Sequence, residues 1–206
     1  MSGIVQIAPI AGLAEVGAGD PLGRLIARAA QEGGLELAAD DVVCVSQKVV
    51  SKAEGRARDL GEVEPSARAL DLAARLDKDP RLVQAILDES REVIRAERGV
   101  LIVESSSGWI CANAGVDASN VPGENRVTLL PEDADASARR LRDELAALCG
   151  ARPAVVIADS FGRPWRVGQA DVAIGCAGLA PLDDRRGATD REGRTLTATV
   201  TDRLAQ

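Results

Sequence analysis

The sequence predicts an α+β fold of mixed, largely antiparallel sheets and packed helices, with room for two lobes inside one domain over residues 1–206. Three observations carry this. Short apolar runs at residues 42–45, 100–103, 127–130 and 154–158 have strand length, while residues 20–34 and 66–94 repeat apolar side chains with helical period. Strands and helices do not alternate regularly, which disfavours a doubly wound sheet. A chain of 206 residues with 46% apolar content can also bury a core without disulfides. That core must be aliphatic, because there are two Trp, one Phe and no Tyr.

In chain order, Asp20 and Pro21 read as N-cap and first-turn proline of a helix whose apolar face is Leu22, Leu25, Ile26 and Ala29, ended by Gly33 and Gly34. Residues 42–45 form a short buried strand, and Ser46-Gln47-Lys48 marks its exit into a turn or a helix start that Ser46 would cap. A helix begins at Ser66 and breaks at Asp79-Pro80, after which Val83, Ile86, Leu87 and Ile94 restore a helical stripe. Residues 100–103 form a strand that turns through residues 105–108 and pairs with Trp109, Ile110 and Cys111. Pro122-Gly123 turns the chain into a strand at 127–130. Leu141, Leu145 and Leu148 form one face of a helix closed by Gly150, and residues 154–158 and 171–177 are strands.

The net charge of -7 disfavours a nucleic-acid partner, which needs a clustered basic face. The absence of His removes Ser-His-Asp and Cys-His catalysis and leaves proton transfer to carboxylates, Lys, water or substrate. The four cysteines lack C-x-x-C spacing and suit small buried thiols in a reducing compartment. No basic leader or membrane-length apolar run is present, so the expectation is a cytoplasmic protein without a membrane partner.

Three constellations could carry chemistry. In the first, Ser46-Gln47-Lys48 leads into Ser51-Lys52-Ala53-Glu54-Gly55-Arg56, with Lys48 and Lys52 at i and i+4 near free backbone N–H groups. This suits a polyphosphate, and it equally describes a solvated charged helix. In the second, Asp117 and Asn120 sit in a turn-rich stretch with the oxygen donors that Mg²⁺ or Mn²⁺ prefers, a composition shared by ordinary Asx turns. In the third, Asp159-Ser160 follows a buried strand, and the loop Phe161-Gly162-Arg163-Pro164-Trp165-Arg166 adds two guanidiniums that could clamp an anion or pack on Trp. Gly17, Gly19 and Gly23 miss the dinucleotide fingerprint by their spacing, and no Walker-type phosphate loop exists.

Taken together, the runs SKAEGR (51–56), KDPR (78–81), ESRE (89–92), CANAGVDASNV (111–121) and DSFGRPWRVGQADVAIG (159–175) resemble the coenzyme F420:L-glutamate ligase family, in order along essentially the whole chain. The resemblance implies GTP-dependent amide formation between L-glutamate and the acidic tail of a deazaflavin precursor, followed by γ-linked extension. It also implies an acyl-phosphate intermediate, Mg²⁺ or Mn²⁺ with K⁺, and a homodimer. It assigns GTP contacts to Leu13, Ala14, Glu15, Val16, Gln47, Lys52 and Asn120, metal contacts to Asp117, Asp159 and Ser160, and catalysis to Lys52, Asp117 and Asp159. Relatives continue past the position of Gln206 with further nucleotide- and metal-contacting positions, so a C-terminally incomplete chain is expected. A ligase for another carboxylic acid and a non-catalytic nucleotide-binding or dimerisation fragment remain alternatives.

Overall fold

The computed structural model describes residues 4–119, 121, 123, 125–163, 166–202 and 204, with the side chains of residues 163 and 166 left aside. In chain order the elements are α1 (Leu22–Glu32), β1 (Val42–Ser46), α2 (Gln47–Ala53), β2 (Ala57–Asp59), α3 (Ala67–Leu76), α4 (Pro80–Asp88), β3 (Ser90–Glu97), β4 (Val100–Ser105), β5 (Ile110–Ala112), β6 (Arg126–Thr128), α5 (Ala134–Cys149), β7 (Ala154–Arg163), β8 (Arg166–Ala177), β9 (Leu182–Asp184) and β10 (Val200–Asp202). The architecture is α+β, as expected. Sheets run in the orders β1-β7-β8, β3-β4-β5, β2-β6 and β9-β10, and only β1 with β7 is parallel among the described pairings.

Two buried clusters organise these elements. In the first, Leu22 and Ile26 of α1 and Leu141 and Leu145 of α5 pack with Val43, Val45, Val155 and Ile157 of the parallel pair. Val155 and Ile157 are fully buried, and each such side chain contributes roughly 1.5–3 kcal/mol of transfer free energy. In the second, Leu72 and Leu76 of α3 and Val83 and Ile86 of α4 pack with Leu101, Val103 and Val127. The chain enters this second cluster after α2 and returns to the first through α5.

Several local expectations change. Asp20 does not cap α1; its carboxylate accepts from Gly17 N–H and closes a turn, leaving Pro21 at the cap position. Ser46 holds the N-cap position of α2 without a side-chain capping bond, whereas Ser66 does cap α3, accepting from Ala69 N–H. The helical stripe ends at Asp88, and Ile94 belongs to β3, a strand the helix-forming composition conceals. The segment expected as a loop after Phe161 is instead an extension of strands: β7 runs to Arg163 and β8 resumes at Arg166. Cys44, Cys149 and Leu148 are exposed, and only Cys111 is a fully buried thiol. Cys44 and Val42 alternate outward on β1 while Val43 and Val45 turn inward.

Candidate functional site

The site forms where the two clusters meet. After β5 the chain makes a sharp turn through Asn113, Ala114 and Gly115, with φ of +54°, +54° and +72°. Gly115 is required twice over, by that left-handed φ and because a Cβ there would lie 2.6 Å from Leu130 Cδ2. The turn delivers Val116 to the second core and Asp117 to its edge, where backbone hydrogen bonds in both directions with Thr128 fix it beside β6. The Asp117 carboxylate then takes three further bonds. Oδ1 accepts from Ser119 N–H at 2.7 Å, and Oδ2 accepts from Ser119 Oγ at 2.9 Å and from Lys48 Nζ at 2.8 Å.

Asp159 reaches the same place from the first core. It sits on β7 paired with Val172, just beyond the buried run that carries Val155 and Ile157. Burial raises its carboxyl above the usual carboxylate range, and the negative charges of Asp117 and Asp171 push in the same direction, against Ser160 N–H and Lys48. Asp117 moves the other way: its partial burial is outweighed by the hydrogen bonds from Lys48 and Ser119, which hold it below that range. Asp159 therefore lies in the field of Asp117 although 42 positions separate them in sequence.

Ser160 parts company with Asp159. It pairs with Asp171 across the hairpin, and strand alternation turns its side chain to the other face, where Oγ donates to Asp171 Oδ1 at 2.6 Å. The carboxylate oxygens of Asp117 and Asp159 are hard donors of the kind Mg²⁺ and Mn²⁺ take one or two at a time, completing their shell with water and phosphate oxygens. Among the described residues no group of three or more His, Cys, Asp or Glu is placed to hold a metal ion.

The nucleotide positions expected from sequence gather around α2. Residues 13–16 lie outside any helix or strand, with Val16 buried, Leu13 packed against the first core, and Ala14 and Glu15 exposed. Lys52 Nζ pairs with Glu15 of that segment. Gln47 is inside, its amide nitrogen donating to Ser51 Oγ at 2.7 Å and to the Leu129 carbonyl at 3.2 Å. Its side chain ties α2 to the Leu129 backbone. Asn120 lies outside the described residues, as do Trp165 and the side chains of Arg163 and Arg166.

Two residues at the junction carry more of the geometry than sequence reasoning gave them. Lys48 reaches from α2 in the first core to the Asp117 turn of the second, and Ser119 supplies two of the three donors to Asp117. The i,i+4 spacing of Lys48 and Lys52 was the available signal, but it does not say which lysine faces the carboxylates. A cleft of about 340 Å³ opens elsewhere, lined by Trp109, Leu130, Glu132 and Ile174 among others and by neither carboxylate. Its Trp109 packs edge-on against Phe161, with ring centroids 6.2 Å apart, two residues beyond Asp159.

Comparison with known proteins matches this arrangement to one family. Residues 12–206 fit the profile described as F420-0:Gamma-glutamyl ligase. The coenzyme F420:L-glutamate ligase of Methanothermobacter thermautotrophicus is 44% identical over 204 residues, 98% of this chain and 81% of the relative. Those of Haloarcula marismortui and Methanopyrus kandleri are 44% and 45% identical, covering 95% of this chain in both cases and 76% and 75% of the relatives. Identity at this level over nearly the whole chain, with the profile match, shows that the chain belongs to the F420-0:gamma-glutamyl ligase family.

Proposed function

We propose that this protein joins L-glutamate to the acidic tail of the coenzyme F420 precursor and extends it through γ-links, using GTP with Mg²⁺ or Mn²⁺ and K⁺. The observation that carries the proposal is that Asp159 lies in the field of Asp117 and Lys48, in a member of a family whose relatives are named coenzyme F420:L-glutamate ligase. Asp117 and Asp159 would hold the divalent ion, which when bound neutralises phosphate charge during transfer. Ser160, facing the other side of β7, would serve a second ion. Lys52 and residues 13–16 lie together and would flank the nucleotide phosphates, Lys52 exchanging Glu15 for phosphate.

The chemistry suits a chain without His. The precursor carboxylate attacks the γ-phosphorus, GDP leaves, and the resulting acyl phosphate is attacked by the glutamate amine with loss of phosphate. The protein's share is positioning and electrostatics, for which fixed carboxylates and lysines suffice. The same reading places the enzyme in a reducing cytoplasm as a homodimer; its four cysteines are free thiols, and no described helix is long and apolar enough to cross a membrane.

The test is GDP release together with mass spectrometry of the amide product, run on the protein with its uninterrupted reading frame. GDP release should require Mn²⁺, glutamate and the deazaflavin acceptor together. Release with a different carboxylic acid and none with the deazaflavin would reassign the acceptor. GTP binding without any turnover would leave a nucleotide-binding module.

A further inference from the structure

Lys48 is bound on three sides. Its ammonium donates to Asp117 Oδ2 at 2.8 Å, to Ser119 Oγ at 2.8 Å and to the Ser119 carbonyl at 3.1 Å. Its side chain is 20% exposed and that of Asp117 44%, so the ion pair is partly shielded while the Ser119 contacts face solvent. Lys48 stands on α2, whose Val50 is part of the first core, whereas Asp117 follows Val116 of the second. The ammonium is therefore a bolt across the junction.

An ionised carboxylate offers about four lone-pair sites on its two oxygens. In Asp117 three are taken, two on Oδ2 by Lys48 and Ser119 Oγ and one on Oδ1 by Ser119 N–H. Among the described residues nothing takes the fourth, on Oδ1. We infer that Lys48 is a positioning residue that fixes Asp117 so that it presents a single oxygen, Oδ1, to a divalent cation shared with Asp159. Lys48 acts through Asp117, and the inference rests on the reading above that Asp117 and Asp159 hold such an ion.

The geometry separates Lys48 from Lys52, one turn further along α2, whose ammonium is engaged by Glu15 and not by either site carboxylate. It also sets two effects of Lys48 in opposition. Its positive charge competes with a cation for the carboxylates, while its hydrogen bonds hold Asp117 in the direction that turnover needs. Removing the side chain frees Oδ2 and lifts local positive charge, so a metal gains affinity as the catalytic arrangement is lost.

The experiment compares Lys48→Met, Lys48→Arg and Asp117→Asn with the unaltered protein. Mn²⁺ affinity without nucleotide is measured by calorimetry, turnover by GDP release, and order at residues 117–119 by amide hydrogen exchange. Lys48→Met should bind Mn²⁺ at least about threefold more tightly. It should turn over about tenfold to a hundredfold more slowly. The Ser119 amide should exchange faster, and Lys48→Arg should recover part of the turnover. Affinity and turnover falling together, or turnover unchanged, would overturn the inference. Unchanged Mn²⁺ affinity in Asp117→Asn would instead remove the metal reading. In that case the exchange at Ser119 still decides whether Lys48 orders the turn, and protection equal to the unaltered protein would reject that as well.

Discussion

The Asp117 turn and the Asp159 strand bring two aspartates to one place by opposite means. Asp117 stands in a strained, polar turn, its carboxylate held by Lys48 and Ser119 and its pKa lowered. Asp159 stands on a strand of the first core, where burial and two neighbouring carboxylates raise its pKa. Asp117 is thus accounted for by the stability of the fold, whereas an ionised Asp159 opposes it. A group that the fold tolerates at a cost is the one that function must explain.

The largest effect should come from Asp159→Asn. Losing a ligand to the proposed ion should lower turnover by more than about a hundredfold, since even partners behind the ligands cost tenfold to a hundredfold. Mn²⁺ affinity unchanged in this variant would place the ion elsewhere. Lys52→Met comes next and sharpens the contrast from outside it. Nucleotide affinity should fall about tenfold, as for loss of one charge-assisted hydrogen bond. The loss should shrink in high salt and leave nucleotide-free Mn²⁺ affinity untouched. A loss of Mn²⁺ affinity equal to that of the aspartate variants would merge the two regions into one diffuse charged face.

Smaller and opposite shifts are expected in stability. At neutral pH Asp159→Asn should melt about 2–4 °C higher, the shift that a gain of ~1 kcal/mol gives in a chain of this size, because a buried charge is removed. Asp117→Asn should lose at most about 1 kcal/mol, a value kept low because its side chain is 44% exposed. Thermal melts of both proteins would show whether the signs differ. Equal signs would break the comparison.

The subtlest test is pH. The Asp159 pKa is raised in the folded state, so its contribution is fully present below the unfolded value of about 3.9 and is lost as pH rises through the folded value. The Asp117 pKa is lowered, so its contribution is present above that unfolded value and is lost as pH falls through the folded one. On acidification the unaltered protein should therefore gain a little stability before losing it. Asp159→Asn should abolish the gain and Asp117→Asn should soften the loss, as followed by melts across acidic pH.

Much of this was legible from sequence where local chemistry decides. The buried run before Asp159, the Ser66 cap, the break at Pro80 and the turn before Trp109 are each written in a few adjacent residues. β3 was not, because Glu-Val-Ile-Arg-Ala-Glu favours a helix and only pairing with β4, through two register shifts, makes it a strand. The extension of β7 and β8 was hidden by Gly162 and Pro164, which read as loop. The resemblance singled out Asp117 and Asp159, but their approach depends on how the two cores dock. For the same reason spacing could not choose between Lys48 and Lys52, whose partners lie at Asp117 and Glu15.

The parallel register that pairs Val42 with Ala154 has a consequence for how the molecule is assembled in time. Everything from β2 to β6 lies between those partners, and within it β3, β4 and β5 join neighbours in sequence through short connections, contacts that close quickly. Joining β1 to β7 closes a far longer loop and should come late. Until β7 leaves the ribosome, β1 lacks its partner, with Val43 and Val45 uncovered and α2 unanchored beside it. Lys48 and Asp159 ride on the ends of that last pairing, so a nascent chain can complete its second core well before it has a site. Cation binding at the junction would then be a late marker of maturation, appearing only in chains whose ends have found each other.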